Sequence, residues 1–198
     1  MRYAADHKAR TRARILEAAA RQVRERGPEA IAVGEVMAAA GLTHGAFYAH
    51  FPSKTVLVAE AVSTMFGAER SARTRLAEAL AEEDADMRAA LRAFLADYLS
   101  PRHRDRPERG CPLPALAAEI ARDQGAAHDA FAAGTARLTQ RIEQALARIG
   151  THDSTAQART VMAQIVGTVA LARALGRGPE SDAMLHDNLE ALTERLEL

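Results

Sequence analysis

Tyr48, His50 and Lys54 put three side-chain donors of different reach where one short helix ends and the next begins. Such a cluster suits phosphate oxygens, which position a protein without reading sequence. A lysine in the first turn of a helix opposes the macrodipole at a cost of a few tenths up to about 1 kcal/mol. An external phosphate would explain why Lys54 is tolerated there; the plain alternative is a solvated surface lysine.

The other reactive candidate is Cys111, the single cysteine, in Arg109-Gly-Cys-Pro-Leu-Pro-Ala-Leu-Ala-Ala-Glu-Ile120. Pro112 suits the first turn of a helix, which places Cys111 at its N-terminal end. The preceding segment supplies Arg102, Arg104, Arg106 and Arg109 against Asp105 and Glu108. Aligned dipoles and nearby cations lower a thiol pKa and favour the thiolate. The opposing reading is a small buried hydrophobe closing a helix start.

Catalytic and metal chemistry finds little support. No Ser-His-Asp arrangement can be argued from spacing and no glycine-rich phosphate loop is present, so no cofactor is expected. The seven histidines show neither H-x-x-x-H nor a cysteine partner suited to zinc. His128-Asp129, His152-Asp153 and His186-Asp187 are sequence neighbours, which point to different sides of a helix. A thiol-dependent enzyme using Cys111 and a helical adaptor without specific DNA binding are the rival classes.

The elements that must position these residues are helices. There are 46 alanines, no Trp and only 4% aromatics, which argues against a sandwich or barrel. One cysteine makes an intrachain disulfide impossible. Ile15, Leu16, Ala19 and Val23 share one face of a helix over about Lys8 to Arg26, ended by Gly27-Pro28. Short helices follow at Gly34 to Ala40 and about His44 to Phe51, with Gly41 in the turn and Thr43 as N-cap, the spacing of a helix-turn-helix. Phe51-Pro52 leaves the helix, and Ser53 caps another running to about Leu80. Further helices are expected at Asp86 to Leu99, Leu113 to Arg122, Ala126 to Ile149, Ser154 to Leu175 and Ser181 to Leu196, with Ser100 to Gly110 a charged loop. The fold class is all-α.

Formal charge is zero over 198 residues, yet residues 1–54 hold nine Lys or Arg against five acids, a net +4, and residues 55–198 hold 17 against 21, a net −4. A basic head sits on an acidic body. No segment approaches the roughly 18 uninterrupted apolar residues of a membrane span and no apolar leader opens the chain, so a cytoplasmic protein with no membrane partner is expected.

The string from Ala32 to Lys54, with its core Gly-Ala-Phe-Tyr-Ala-His-Phe-Pro-Ser-Lys, resembles the DNA-binding region of TetR-family transcriptional regulators. The resemblance implies an N-terminal three-helix helix-turn-helix DNA-binding domain, residues 1–54, and a helical effector-binding and dimerisation domain, residues 55–198. It further implies a homodimer on a palindromic double-stranded operator, by default a repressor, whose helical body binds a small ligand that releases the DNA. Phe47 and Phe51 would pack in the head. Tyr48, His50 and Lys54 would hold phosphates, and base reading would fall to His44, Gly45, Ala46 and Ala49, with Thr43 on phosphate or base. Arg2, Lys8, Arg10, Arg12 and Arg14 would add backbone or minor-groove contacts, unless the first seven residues form a disordered tail.

The Gly-Cys-x-Leu segment with Leu-Ala-Ala-Glu resembles the NemR-like, cysteine-containing branch of that family, in which the matching cysteine senses electrophiles and oxidants. Cys111 would then be a sensor. The competing route is an apolar or amphipathic effector in a pocket lined by Met65, Phe66, Phe94, Tyr98, Leu116 and Phe131, although core packing is several times the commoner role for each, since a Met or aromatic stripe is normally core. Leu185, Leu189, Leu192 and Leu196 repeat at intervals of four, three and four, and Met162, Ile165, Val166 and Val169 form a stripe on the preceding helix. Together they suit a four-helix contact across a twofold axis, and a monomer would bury the same stripes internally.

Overall fold

The computed structural model describes residues 2–67, 72–122 and 124–198; the side chains of residues 2–5, 72 and 73, Arg2 among them, lie outside the described part. Every regular element among the described residues is helical. The chain divides into two units, residues 1–67 with 115–134, and residues 68–114 with 135–198.

In the first unit α1 spans Arg2–Arg26, so residues 2–7 are already helical and not a disordered tail. Ile15, Ala19 and Val23 are buried, while Leu16 is only half-buried. Gly27, with φ +83°, ends it through a 2.9 Å bond from its amide to the Val23 carbonyl. Helix α2, Val33–Ala39, buries Val36 and Met37. It closes in a Schellman motif, in which Leu42 N–H donates to Met37 O and Gly41 N–H to Ala38 O, both at 2.9 Å, and Gly41 takes φ +70°.

The segment after this turn is a 3-10 helix, His44–Ala49, where an α-helix was expected. Thr43 occupies the cap position with extended backbone, but its hydroxyl makes no cap hydrogen bond. Helix α3, Lys54–Phe66, begins as expected: Ser53 Oγ accepts from Val56 N–H at 3.2 Å. It ends at Gly67, whose amide donates to Thr64 O, and so does not continue to Leu80. Residues 68–71 lie outside the described part.

The second unit holds α4 (Ala72–Ala81), α5 (Met87–Tyr98), α6 (Pro101–Arg104), a 3-10 turn at Pro107–Arg109, α9 (Ser154–Leu175) and α10 (Pro179–Arg195). Helices α7 (Leu113–Ile120) and α8 (Ala126–Arg148) each contribute to both units. The expected loop at Ser100 to Gly110 is wrong. Ser100 Oγ accepts from His103 N–H at 3.1 Å and Pro101 sits at the first helical position, which starts α6. Arg104, 5% exposed, explains the charge in this stretch. It donates to Asp105 at 2.8 Å, to Ser181 Oγ at 2.7 Å and to Asp182 at 2.5 Å, while Ser181 Oγ donates to Ala172 O at 2.9 Å. One guanidinium thus joins α6 to the start of α10 and, through Ser181, to the end of α9.

Six of the eight residues expected at a dimer face are used within the protomer. Met162, Ile165, Val169, Leu185, Leu192 and Leu196 are buried in the single chain, where α9 packs on α10, and only Val166 and Leu189 are half-exposed. The physical reason is that each helix has one strongly apolar stripe and spends it on its sequence neighbour.

Candidate nucleic-acid interface

The 3-10 segment shows one buried and one exposed side. Phe47 and Phe51 are buried, with ring centroids 6.0 Å apart and planes 22° from parallel. Tyr48, set edge-on to Phe47 at 5.2 Å, is 72% exposed. Thr43, His44, Gly45 and Ala49 are exposed and Ala46 and His50 half-exposed. A large aromatic ring left in water beside a packed pair, with a hydroxyl at its tip, is what a polar partner surface needs. No atom lies within 4 Å of where a side chain at Gly45 would begin, so a ligand can approach the backbone there.

Lys54 is half-exposed and its ammonium donates to Glu29 O at 2.9 Å. A main-chain carbonyl therefore steadies the cation against the α3 macrodipole, a partner invisible in the sequence. Two donors of the ammonium remain. Nδ1 of His50 is buried without a hydrogen-bond partner.

The arginines of α1 are less available than sequence suggested. Arg12 pairs with Glu60 of α3 and lies 4.6 Å from the centre of the Phe51 ring. Arg14 donates to Ala40 O at 2.5 Å, Arg10 faces Asp6 at 3.8 Å, and Arg26 pairs with Glu35 at 2.6 Å. Lys8 is exposed.

Of the expected effector residues, Met65, Phe66, Leu116 and Phe131 fall in the first unit and Phe94 and Tyr98 in the second. All are buried except Phe131, which is half-exposed and meets Phe66 edge-on at 5.9 Å. Phe94 and Tyr98 are neighbouring rings at 5.8 Å. Two surface cavities, each of about 460 to 470 Å³, are lined by other residues: one by Arg92, His186, Leu189 and Glu194 among others, the second by Arg26, Glu29, Glu119 and Arg122 among others.

Cys111 is 3% exposed, two residues before α7 begins. Its amide donates to His103 Nε2 at 3.0 Å, and His103 Nδ1 lies 2.7 Å from Tyr98 O. Nε2 accepts and Nδ1 donates, which assigns the neutral Nδ1–H tautomer. The expected cationic surroundings are partly corrected. Arg102 pairs with Asp97 and Arg104 with Asp105 and Asp182, so neither is directed to the thiol. Arg173 of α9, which sequence did not single out, donates to His103 O at 2.9 Å and Arg104 O at 3.2 Å. Burial lowers its pKa, opposed by the acidic groups of Tyr98, Cys111 and Glu108. Gly110 is required between these groups: a side chain there would begin 2.8 Å from the His103 ring and 3.0 Å from Arg173.

No group of three or more acidic, His or Cys side chains among the described residues is placed to hold a metal, and no described helix is long and apolar enough to cross a membrane.

Comparison with known proteins bears on both ends of the chain. Residues 15–61 match the family model for bacterial regulatory proteins of the tetR family, and residues 88–192 match the tetracyclin repressor-like C-terminal domain. No curated protein sequence matches significantly. Among solved structures, the reduced form of NemR from E. coli is 21% identical, with TM-score 0.78 over 93% of this chain and 95% of that one. A TetR transcriptional regulator from Chloroflexus aurantiacus is 24% identical, with TM-score 0.79 over 97% and 96%. SmeT, the repressor of a multidrug efflux pump of Stenotrophomonas maltophilia, is 21% identical, with TM-score 0.68 over 93% and 89%. At these identities the likeness is one of fold, and with a C-terminal model spanning more than half the chain beside the helix-turn-helix model, the chain belongs to the TetR family of DNA-binding transcriptional regulators.

Proposed function

We propose that the protein is a cytoplasmic repressor that binds a palindromic operator as a homodimer and is released by a small apolar or amphipathic effector. The observation that carries the DNA reading is exposed Tyr48 beside the buried Phe47 and Phe51 pair, with Thr43, His44, Gly45, Ala46, His50 and Lys54 on the same short stretch. Thr43, Tyr48, His50 and Lys54 take phosphates, and His44, Gly45 and Ala46 approach base edges. Two half-sites require two heads, and so a dimer.

For the dimer contact, the candidates are the apolar residues α9 leaves outside its own core. Val166, Gly167 and Ala170 are half-exposed, and Ala163, Leu171 and Ala174 are exposed. Leu171 at 58% is large and apolar in water, and nothing lies within 4 Å of where a side chain at Gly167 would begin. Small residues let a partner helix come close.

The burial of Cys111 favours a noncovalent effector over direct attack on the thiol. Thiol modification remains a second reading because Arg173 lies in its electrostatic surroundings. Release by an alkylating agent from wild type but not from Cys111→Ser would favour that route.

The test of the primary reading is anisotropy titration of the purified protein with the duplex upstream of its own gene, at several salt concentrations. Selective binding is expected, with Lys54→Ala lowering the slope of log K against log salt by about 1. Equal affinity for a scrambled duplex would overturn operator recognition.

A further inference from the structure

The recognition segment is too short to hold its own shape. Six residues of 3-10 helix, His44–Ala49, carry poorer hydrogen-bond geometry than an α-helix and sit well below the length at which an isolated helix is stable. Tertiary contacts must set its angle. Two arginines of α1 stand at its ends.

At the entry, Arg14 donates to Ala40 O at 2.5 Å, beside Gly41 at φ +70°. A side chain on Gly41 would begin 3.0 Å from the same guanidinium nitrogen. Ala40 is the last residue of the α2 turn, and its carbonyl lies at the negative end of that helix, where a cation is favoured. At the exit, the Arg12 guanidinium lies 4.6 Å from the centre of the fully buried Phe51 ring and pairs with Glu60 of α3. A cation over an aromatic face, held there by a carboxylate, fixes the ring from one side while Phe47 packs with it. Residues two apart on an α-helix point roughly 200° apart, so one helix reaches both ends of the segment from opposite flanks.

We propose that Arg12 and Arg14 are positioning residues for operator binding: internal clamps that set the recognition segment through Phe51 and Ala40, and not phosphate contacts. The proposal rests on the reading of this segment as the DNA-binding element. It assigns Glu60, on α3, a role in affinity for DNA.

Glu60 supplies a test in which the two accounts differ in sign. Removing an acid that lies against the basic head, and freeing Arg12, strengthens binding to a polyanion on charge grounds alone. The clamp predicts the reverse. The probe is a duplex selected from a random pool by the full-length wild-type protein, with a scrambled duplex as reference. Glu60→Gln is expected to lose about threefold to tenfold in affinity for the selected duplex, with unchanged affinity for the scrambled one and an unchanged salt slope. Arg12→Lys, which keeps the charge and loses the planar face, is expected to fall between wild type and Arg12→Ala. Arg14→Ala is expected to lose a similar factor with its slope intact. Equal or tighter binding by Glu60→Gln would overturn the clamp, as would a slope lowered by about 1 in Arg12→Ala or Arg14→Ala together with equal loss on both duplexes. Failure of wild type to select any duplex would instead sink the DNA reading. Circular dichroism melts accompany each variant, and if Arg12→Ala fails to fold, Glu60→Gln and Arg12→Lys still decide the matter.

Discussion

The Cys111 amide donates to His103 Nε2 at 3.0 Å, so the residue before Pro112 is tied to the end of α6. With its side chain 3% exposed, the thiol reacts only when this segment opens. Labelling with a chromogenic disulfide should therefore be much slower in the native protein than in denaturant. Removing the acceptor by His103→Ala should speed native labelling by about threefold to tenfold, the equivalent of one ordinary hydrogen bond. Equal rates in the two native proteins would show that the bond does not gate the thiol.

Gly134 sits inside α8 where helix propensity alone favours alanine by about 1 kcal/mol. The Phe66 ring occupies the space a side chain would need, and that ring is already placed against Phe131. Gly134→Ala is expected to destabilise by about 1–3 kcal/mol through overpacking, outweighing the propensity gain. Urea unfolding with an unchanged m-value is the measurement, and a stabilised variant would mean that Phe66 moves freely.

The Arg104 and Asp105 pair gives the protein an acid-sensitive joint. The hydrogen bond from Arg104 holds the Asp105 carboxyl below the usual carboxylate range, against opposing burial and with help from the charges of Arg104 and Arg177. A folded pKa below the unfolded one means the contribution is complete above the unfolded value of about 3.9 and is lost as pH falls through the folded value. Asp105→Asn should flatten this part of the acid limb of a stability-against-pH curve and leave the alkaline limb unchanged. An acid limb identical to that of wild type would remove Asp105 from the account.

The proposed dimer face makes a separate demand. Leu171→Arg places a charge where α9 now exposes an apolar side chain, so the sedimentation mass should fall from dimer to monomer while the helical spectrum persists. A dimeric Leu171→Arg protein would direct the search to another face.

Periodicity and punctuation made most of the helical frame legible. Gly27-Pro28, Gly41 and Ser53 act on residues close to them, and they appear in the structure as two helix stops and an N-cap. The α6 turn is not legible because charged residues at Arg102 to Arg106 carry no apolar period, and the buried partner of Arg104, Ser181, is distant in sequence. The α9 and α10 stripes were visible, but a stripe says that a face is buried and not what buries it. Here each helix covers the other.

The candidate DNA surface divides in the same way. Residue types alone supplied the donors Tyr48, His50 and Lys54 and the net +4 of the first 54 residues, while the burial of Phe47 and Phe51 was implied by the family resemblance. Only the folded chain decided which cations remain for a partner. It placed Arg12 against Glu60 and Phe51, Arg14 on Ala40 O and Lys54 on Glu29 O, through contacts that span 25 to 48 residues. Local propensity and capping act over a few residues, so sequence determines them; the direction in which a long flexible cation spends its charge depends on which acceptors folding brings within reach, and that belongs to the tertiary structure.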